Sequence, residues 1–322
     1  MYNIFMNKTI IFIFITFIFL SGCIQNDNLD SDDVLIQEEL IDNEIIETEK
    51  NEPIIKKYEL NLEIVNIPDK YPEISNYFDK YGEVFGIPFF ATNGVSDNKL
   101  MHAMNIMAQY LDNDEDGIPD NPAVIDELLN QEVGMIMFSN ENEAENSQVW
   151  ESDAPMDRYQ ELYGSETIIT GSRFDASLEE IFHLITDTGY EGVYPSVFGE
   201  FTGSELADLM DNARGGHFSN EGMITEADGY TFPSAVPSSY PAGAWYTYDD
   251  ETCTYDCMNT EYIYWAMTSI LGAQEEYCSE IRQEWKLCTK EKVMNQDPGI
   301  YNLLTNPEYR LPTILPDGSY GR

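Results

Sequence analysis

The stretch Ser177-Leu178-Glu179-Glu180-Ile181-Phe182-His183-Leu184-Ile185-Thr186-Asp187 concentrates the ionisable chemistry of this chain. It is predicted to be an amphipathic helix running to Gly189. Ser177 and Glu180 stand at capping-box spacing, which starts the helix just before the cluster. Glu179 and His183 are one turn apart on the same face, as two ligands of one metal must be, and Glu180 stands beside them. The same spacing also suits a surface pair that merely supports the helix. A strand is predicted immediately upstream, over Thr167–Thr170.

The segment resembles the active helix of zincin metallopeptidases, with Glu180 and His183 at the positions of the general base and the second histidine. Among these it is most similar to the thermolysin-like gluzincins, where Thr-Asp also follows, here Thr186-Asp187. The first histidine of the family is replaced by Glu179. The resemblance implies a zincin-like fold, a hydrolytic metal and a third ligand, a glutamate, from a later helix. Glu261, in Asn259-Thr260-Glu261-Tyr262-Ile263-Tyr264-Trp265, is the candidate. A Glu179, His183, Glu261 shell is oxygen-rich. It suits zinc and also accommodates manganese, iron or calcium.

The chain has only three histidines, so any metal site is short of imidazole. His217 follows two glycines in Ala213-Arg214-Gly215-Gly216-His217-Phe218, where backbone can approach a site closely. It is a candidate ligand, or a catalytic group that polarises a substrate carbonyl. His102 lies off the main apolar face of its helix and reads as structural or solvated. Tyr240, Trp245, Tyr246, Tyr248, Tyr262, Tyr264 and Trp265 admit a peptide or glycan groove, with core and loop packing as their alternative use.

A second constellation is Asp112-Asn113-Asp114-Glu115-Asp116-Gly117-Ile118-Pro119-Asp120. Carboxylates at alternate positions point into a tight loop, Gly117 permits the sharp turn, and the Ile118 carbonyl can join Asp112, Asp114, Asp116 and Asp120. Hard oxygen ligands so arranged suit calcium. The pattern resembles EF-hand loops and the calcium repeats of thrombospondin-type proteins. Where an EF-hand carries its bidentate glutamate, this chain has Ala123, so Asp120, or Asp126 and Glu127, would complete the shell. The other reading is an acidic solvated turn.

Working outward, Tyr58, Leu60, Leu62 and Ile64 alternate as a strand would, and Val84–Ala91 is extended but interrupted by Gly86 and Pro88. Asp97 is predicted to cap a helix whose buried face is Leu100, Met104, Met107, Ala108 and Leu111. A helix follows the acidic loop from Val124 to Leu129, and Val133–Phe138 is a short buried strand. Residues 191–250 are rich in Gly, Pro, Ser and Tyr and read as long ordered loops, and Asn259–Leu271 returns to helix. The expected class is α+β: a zincin-like two-lobed domain over 57–322, with a helix-loop-helix calcium site at 112–120, the metal helix at 177–188 and a disulfide-bearing part at 253–288. Phosphate loops, a Rossmann fingerprint and a nucleophile elbow are absent.

Ahead of this domain, Lys8, the apolar run Ile10–Leu20 and Leu20-Ser21-Gly22-Cys23 have the layout of a cleaved secretion signal. The run is about a dozen residues, short of the ~20 that span a bilayer. Its ending resembles the lipobox of prokaryotic lipoproteins, which implies a signal over 1–22 and a membrane-anchoring lipid on Cys23. Residues 23–56 are acidic and read as a disordered stalk. With 59 acidic against 16 basic residues and a formal net charge of −43, nucleic acid is excluded as a partner, and divalent or cationic ligands are attracted.

Cys253, Cys257, Cys278 and Cys288 are an even set in an exported chain, for which disulfides are the default and a four-thiolate zinc site the competitor. A straight helix from Cys278 to Cys288 would separate these two by about 15 Å and force both to pair back to Cys253 and Cys257. Two functions follow: a membrane-tethered metal-dependent peptide hydrolase, or a non-catalytic, calcium-stabilised surface lipoprotein that binds peptide or glycan.

Overall fold

The computed structural model describes residues 58–170, 174–225 and 229–321. Cys23, its signal segment and the stalk lie outside them. Mixed helix and sheet make the chain α+β, as its sequence predicts. Strands β1 (Lys80–Val84), β2 (Ile87–Ala91), β3 (Gly134–Phe138) and β4 (Tyr159–Tyr163) form one sheet in that order. The β1–β2 pair is antiparallel; β2–β3 and β3–β4 are parallel. Every residue of β2 and β3 is buried, as befits central strands covered on both faces. Alternation then sorts them: Phe89, Ala91, Met135 and Met137 join the main core, whereas Phe90, Ile136 and Phe138 pack with Ile74, Phe78 and Val149 on the other side.

Helices α1 (Asp97–Leu111) and α2 (Pro122–Asn130) make the crossover from β2 to β3, with α3 (Glu141–Glu145) between β3 and β4. After β4 comes α4 (Ser177–Leu184), which continues as a π-helix over Ile185–Tyr190. Two short helices, α5 (Glu191–Val193) and α6 (Pro195–Phe198), lead to α7 (Glu205–Arg214). A small hairpin of β5 (Gly222–Thr225) and β6 (Thr231–Ser234) precedes α8 (Tyr255–Leu271), and α9 (Lys290–Gln296) and α10 (Pro298–Leu304) finish the second half. α1 packs on α4, and α4 on both β4 and α8, so three layers meet along one helix.

Several sequence expectations are corrected. Tyr58–Ile64 forms no strand: its inward residues rest on the core, and only the Val65–Tyr81 bridge joins the sheet. Its period of two therefore records packing without pairing. Val84–Ala91 is the end of one strand and the whole of the next, because Phe85 and Gly86 form a two-residue hairpin turn. The strand before α4 is Tyr159–Tyr163 and not Thr167–Thr170; Ile168 gives its N–H to the Asp175 carboxylate. As an edge strand, β4 keeps polar Gln160 and Glu161, which hid it from a hydrophobicity reading. The cap of α1 is Ser96, one residue before Asp97. Residues 191–250 include α7 and a hairpin as well as loops.

Gly189 does not stop its helix. A Cβ there would lie 2.8 Å from Val124 Cγ1, so glycine lets α2 close on the π-helical turn. The disulfides join Cys253 to Cys257 and Cys278 to Cys288, with Cα separations of 5.4 and 5.3 Å. The straight helix that would have kept Cys278 from Cys288 does not form: short turns bend this segment back until Trp285 bridges Tyr246. Disulfides mark an oxidising, extracytoplasmic compartment. Among the described residues no helix is long and apolar enough to cross a membrane.

Candidate metal centre

Asp175 sets the start of α4. Its Oδ1 accepts the N–H groups of Ile168 and Ser177 at 2.9 and 3.2 Å, and its Oδ2 accepts the Ser177 hydroxyl at 2.6 Å. The expected Ser177–Glu180 capping box is therefore not formed. The same Oδ2 lies 2.7 Å from His102 Nε2, which gives this buried histidine a structural role between α1 and α4. Tyr110 of α1 adds a hydrogen bond to the Leu178 carbonyl at 2.9 Å.

Within this frame Glu179 and His183 of α4 and Glu261 of α8 converge, with one ligand atom from each lying within 4.8 Å of the others. His183 Nε2 is 3.9 Å from Glu261 Oε1, and its Nδ1 is 3.9 Å from Glu180 Oε2. His183 and Glu261 are only 3% and 4% exposed, while Glu179 is half-buried and reaches the solvent side of the cluster. The Tyr264 ring meets His183 edge-on at 5.4 Å, and Gln160 of β4 donates to Glu180 Oε2 at 2.7 Å. The three proposed ligands thus meet although Glu179 and Glu261 stand 82 positions apart in the sequence. His217 does not join them. It sits beyond α7, with Nδ1 2.7 Å from Asp211 Oδ2 and its ring 4.8 Å from that of Tyr255.

A second group, Asp187, Glu191 and Glu200, also brings ligand oxygens within 4.8 Å of one another. Sequence reasoning missed it. Four residues overshoot an α-helical turn by about 40°, so a four-residue repeat drifts around a normal helix. Asp187 lies within the π-helix that follows His183 and Glu191 directly after it, and both contribute to the group. The repeat Glu179, His183, Asp187, Glu191 was the available signal. Thr260 donates to Glu200 Oε1, so neighbouring residues of α8 face both groups.

In the acidic loop, Asp112, Asp114 and Asp116 form the third group. Asp112 is buried and accepts the N–H groups of Asp116 and Gly117 at 3.2 and 2.8 Å and the hydroxyl of Tyr320. Gly117 turns the chain at a φ of +86°. Asp120 instead accepts the Asn113 N–H at 2.7 Å and closes the loop, Ile118 is exposed, and Asp126 accepts the Tyr58 hydroxyl at 2.6 Å.

No protein-family model, curated protein or solved structure matches this chain.

Burial, and then the negative charges of Glu284 and Glu166, push the Glu179 carboxyl up to about 8, against a hydrogen bond from Tyr264. Burial also raises Glu261 well above the usual carboxylate range, with Glu179 and Glu180 adding repulsion, and it raises Glu180, with Glu179 adding repulsion. Glu261 Oε2 is buried without a hydrogen-bond partner. Such a group is costly unless a proton or a cation compensates it. A divalent ion fits this donor set of one imidazole and two carboxylates. Tetrahedral ligation needs ligand atoms about 3.4 Å apart, a modest contraction from the observed separations.

Proposed function

We propose that this chain is an extracytoplasmic, zincin-like metalloprotein that hydrolyses peptide bonds at the Glu179, His183, Glu261 centre. The observation that carries the reading is the convergence of these three side chains from two helices, with Glu180 adjacent. The order of sheet, backing helix α1, metal helix α4 and ligand-bearing helix α8 supports it as well. Zinc, manganese or iron held by Glu179, His183 and Glu261 would supply Lewis acidity and lower the pKa of water. Glu180 is the group that accepts and returns a proton, and Gln160 fixes its carboxylate through Oε2. Calcium in the 112–120 loop serves stability, and a lipid on Cys23 tethers the domain to a membrane.

One observation favours a second reading, a non-catalytic metal-stabilised surface lipoprotein that binds peptide or glycan. Glu180 faces the Nδ1 side of His183, where a carboxylate orients a ligand imidazole. Elemental analysis combined with cleavage of a peptide library separates the two. The hydrolase reading expects one transition-metal ion per chain, lost in His183→Ala, and Glu180→Gln should keep that ion while cleavage falls by ~100-fold or more. A retained ion without cleavage in the parent protein supports the second reading. Unchanged metal content in His183→Ala rejects both assignments of the centre. For the tether, Cys23→Ser should move the protein into a detergent-free fraction.

A further inference from the structure

A cleft of about 650 Å³ lies between the Gly243–Trp245 turn and α9, shares no lining residue with the carboxylate centre, and includes Trp245, Lys286, Thr289, Lys292, Asn295 and Gln296 in its lining. We infer that this cleft binds an acidic saccharide, one that carries uronate or sulfate groups. Its volume is that of a small-ligand site.

The chain has 59 acidic and 16 basic residues, yet two lysines face this one cleft against a single acidic lining residue, Glu291. Among the described residues neither ammonium forms an ion pair. Lys286 donates to the Ala244 carbonyl, and Lys292 Nζ lies 3.0 Å from Cys288 Sγ. An ammonium has three donors, so each lysine is held to the cleft wall by one contact and keeps two N–H groups for a ligand. Two positive charges without carboxylate partners on so acidic a protein create a local field that selects an anion.

The remaining lining specifies what kind of anion. The indole N–H of Trp245 donates to Asp297 Oδ2 at 2.8 Å, which fixes the ring in the wall as a half-buried platform. A rigid aromatic face suits the apolar face of a sugar ring. Thr289, Asn295 and Gln296 supply donors and acceptors of the kind that pair with hydroxyl groups. Simple inorganic anions would use the lysines and leave the indole and the amides idle.

Calorimetric titration of the full-length protein in detergent tests the inference with three short probes: a trigalacturonate, a sulfated disaccharide and a neutral glucose trisaccharide. Lys286→Gln with Lys292→Gln is the variant, since both side chains are exposed and neither bears on the core. Binding of either acidic probe, weakened at least 10-fold in the variant and at least 10-fold tighter than the neutral sugar, supports the site. Selective binding of one acidic probe identifies uronate or sulfate as the recognised group. Absence of binding by both acidic probes, equal affinity for the neutral sugar, or an unaltered affinity in the variant overturns it. The metal content of this variant should match the parent, so the outcome is independent of the centre at His183.

Discussion

The acidic loop and the buried centre each bring together three side chains that could ligate a metal, but they differ in what holds those side chains when no ion is bound. In the loop, Asp112 and Asp116 accept backbone N–H groups from within the loop itself. Asp114 and Asp116 also face solvent. The loop therefore keeps its shape through local hydrogen bonds, and a cation adds to a structure already formed. In the buried centre the carboxylates rest on side-chain donors, Gln160 for Glu180 and Tyr264 for Glu179, and the charge of Glu179 raises the pKa of both Glu180 and Glu261. That arrangement requires protons or a cation. Local sequence can satisfy an acidic cluster at a surface, whereas a cluster assembled by tertiary packing depends on its ligand.

The largest expected difference is in the pH dependence of the metal-free protein. Glu179 has a native pKa of about 8 against 4.5 in the unfolded chain. Between these values the native state binds more protons, so stability is greatest at the acidic end and falls as pH rises towards 8. Saturating divalent metal should flatten this decline, since it replaces the protons. Glu161 of β4, pushed up to about 7 by burial, adds a decline of the same sign that metal should not remove. Denaturant titrations from pH 5 to pH 8, with and without metal, read both effects. A metal-free stability that stays constant or rises with pH would remove the distinction between the two regions.

Calcium should act on the loop by mass action, stabilising the fold by about 2.7 kcal/mol at 100 times its dissociation constant. Chelation should lower the melting temperature accordingly, and Asp114→Ala with Asp116→Ala should abolish that sensitivity while the transition-metal content persists. Identical melting with and without chelator would leave the loop as an acidic turn. The smallest effect concerns Tyr320, whose hydroxyl donates to buried Asp112. Tyr320→Phe should cost about 1 kcal/mol without ligand, the scale of one hydrogen bond. A much larger loss would show that the loop is less self-supporting than its backbone contacts indicate.

Much of the site was legible because helical spacing is a local property. The one-turn separation of Glu179 and His183 and the alternate aspartates of 112–116 needed no knowledge of the rest of the chain. The helices α1, α2 and α8 and the strand β3 were readable from the same periodicities. Strand β4 was not, because Gln160 and Glu161 occupy an edge where polar side chains are tolerated. The acidic group at Asp187, Glu191 and Glu200 depends on a π-helical turn, which no simple periodicity announces.

By itself the sequence determined the elements whose cause lies within a few residues: helix faces, the tight acidic loop, the excess of negative charge and the even set of cysteines. Tertiary structure decided which distant groups share a site. It brought Glu261 to His183, left His217 with Asp211 and Tyr255, and paired Cys278 with Cys288 by bending a segment that could have been straight. The physical reason is range. Backbone hydrogen bonds and side-chain spacing act between near neighbours, while the meeting of two helices is set by burial of the whole apolar core.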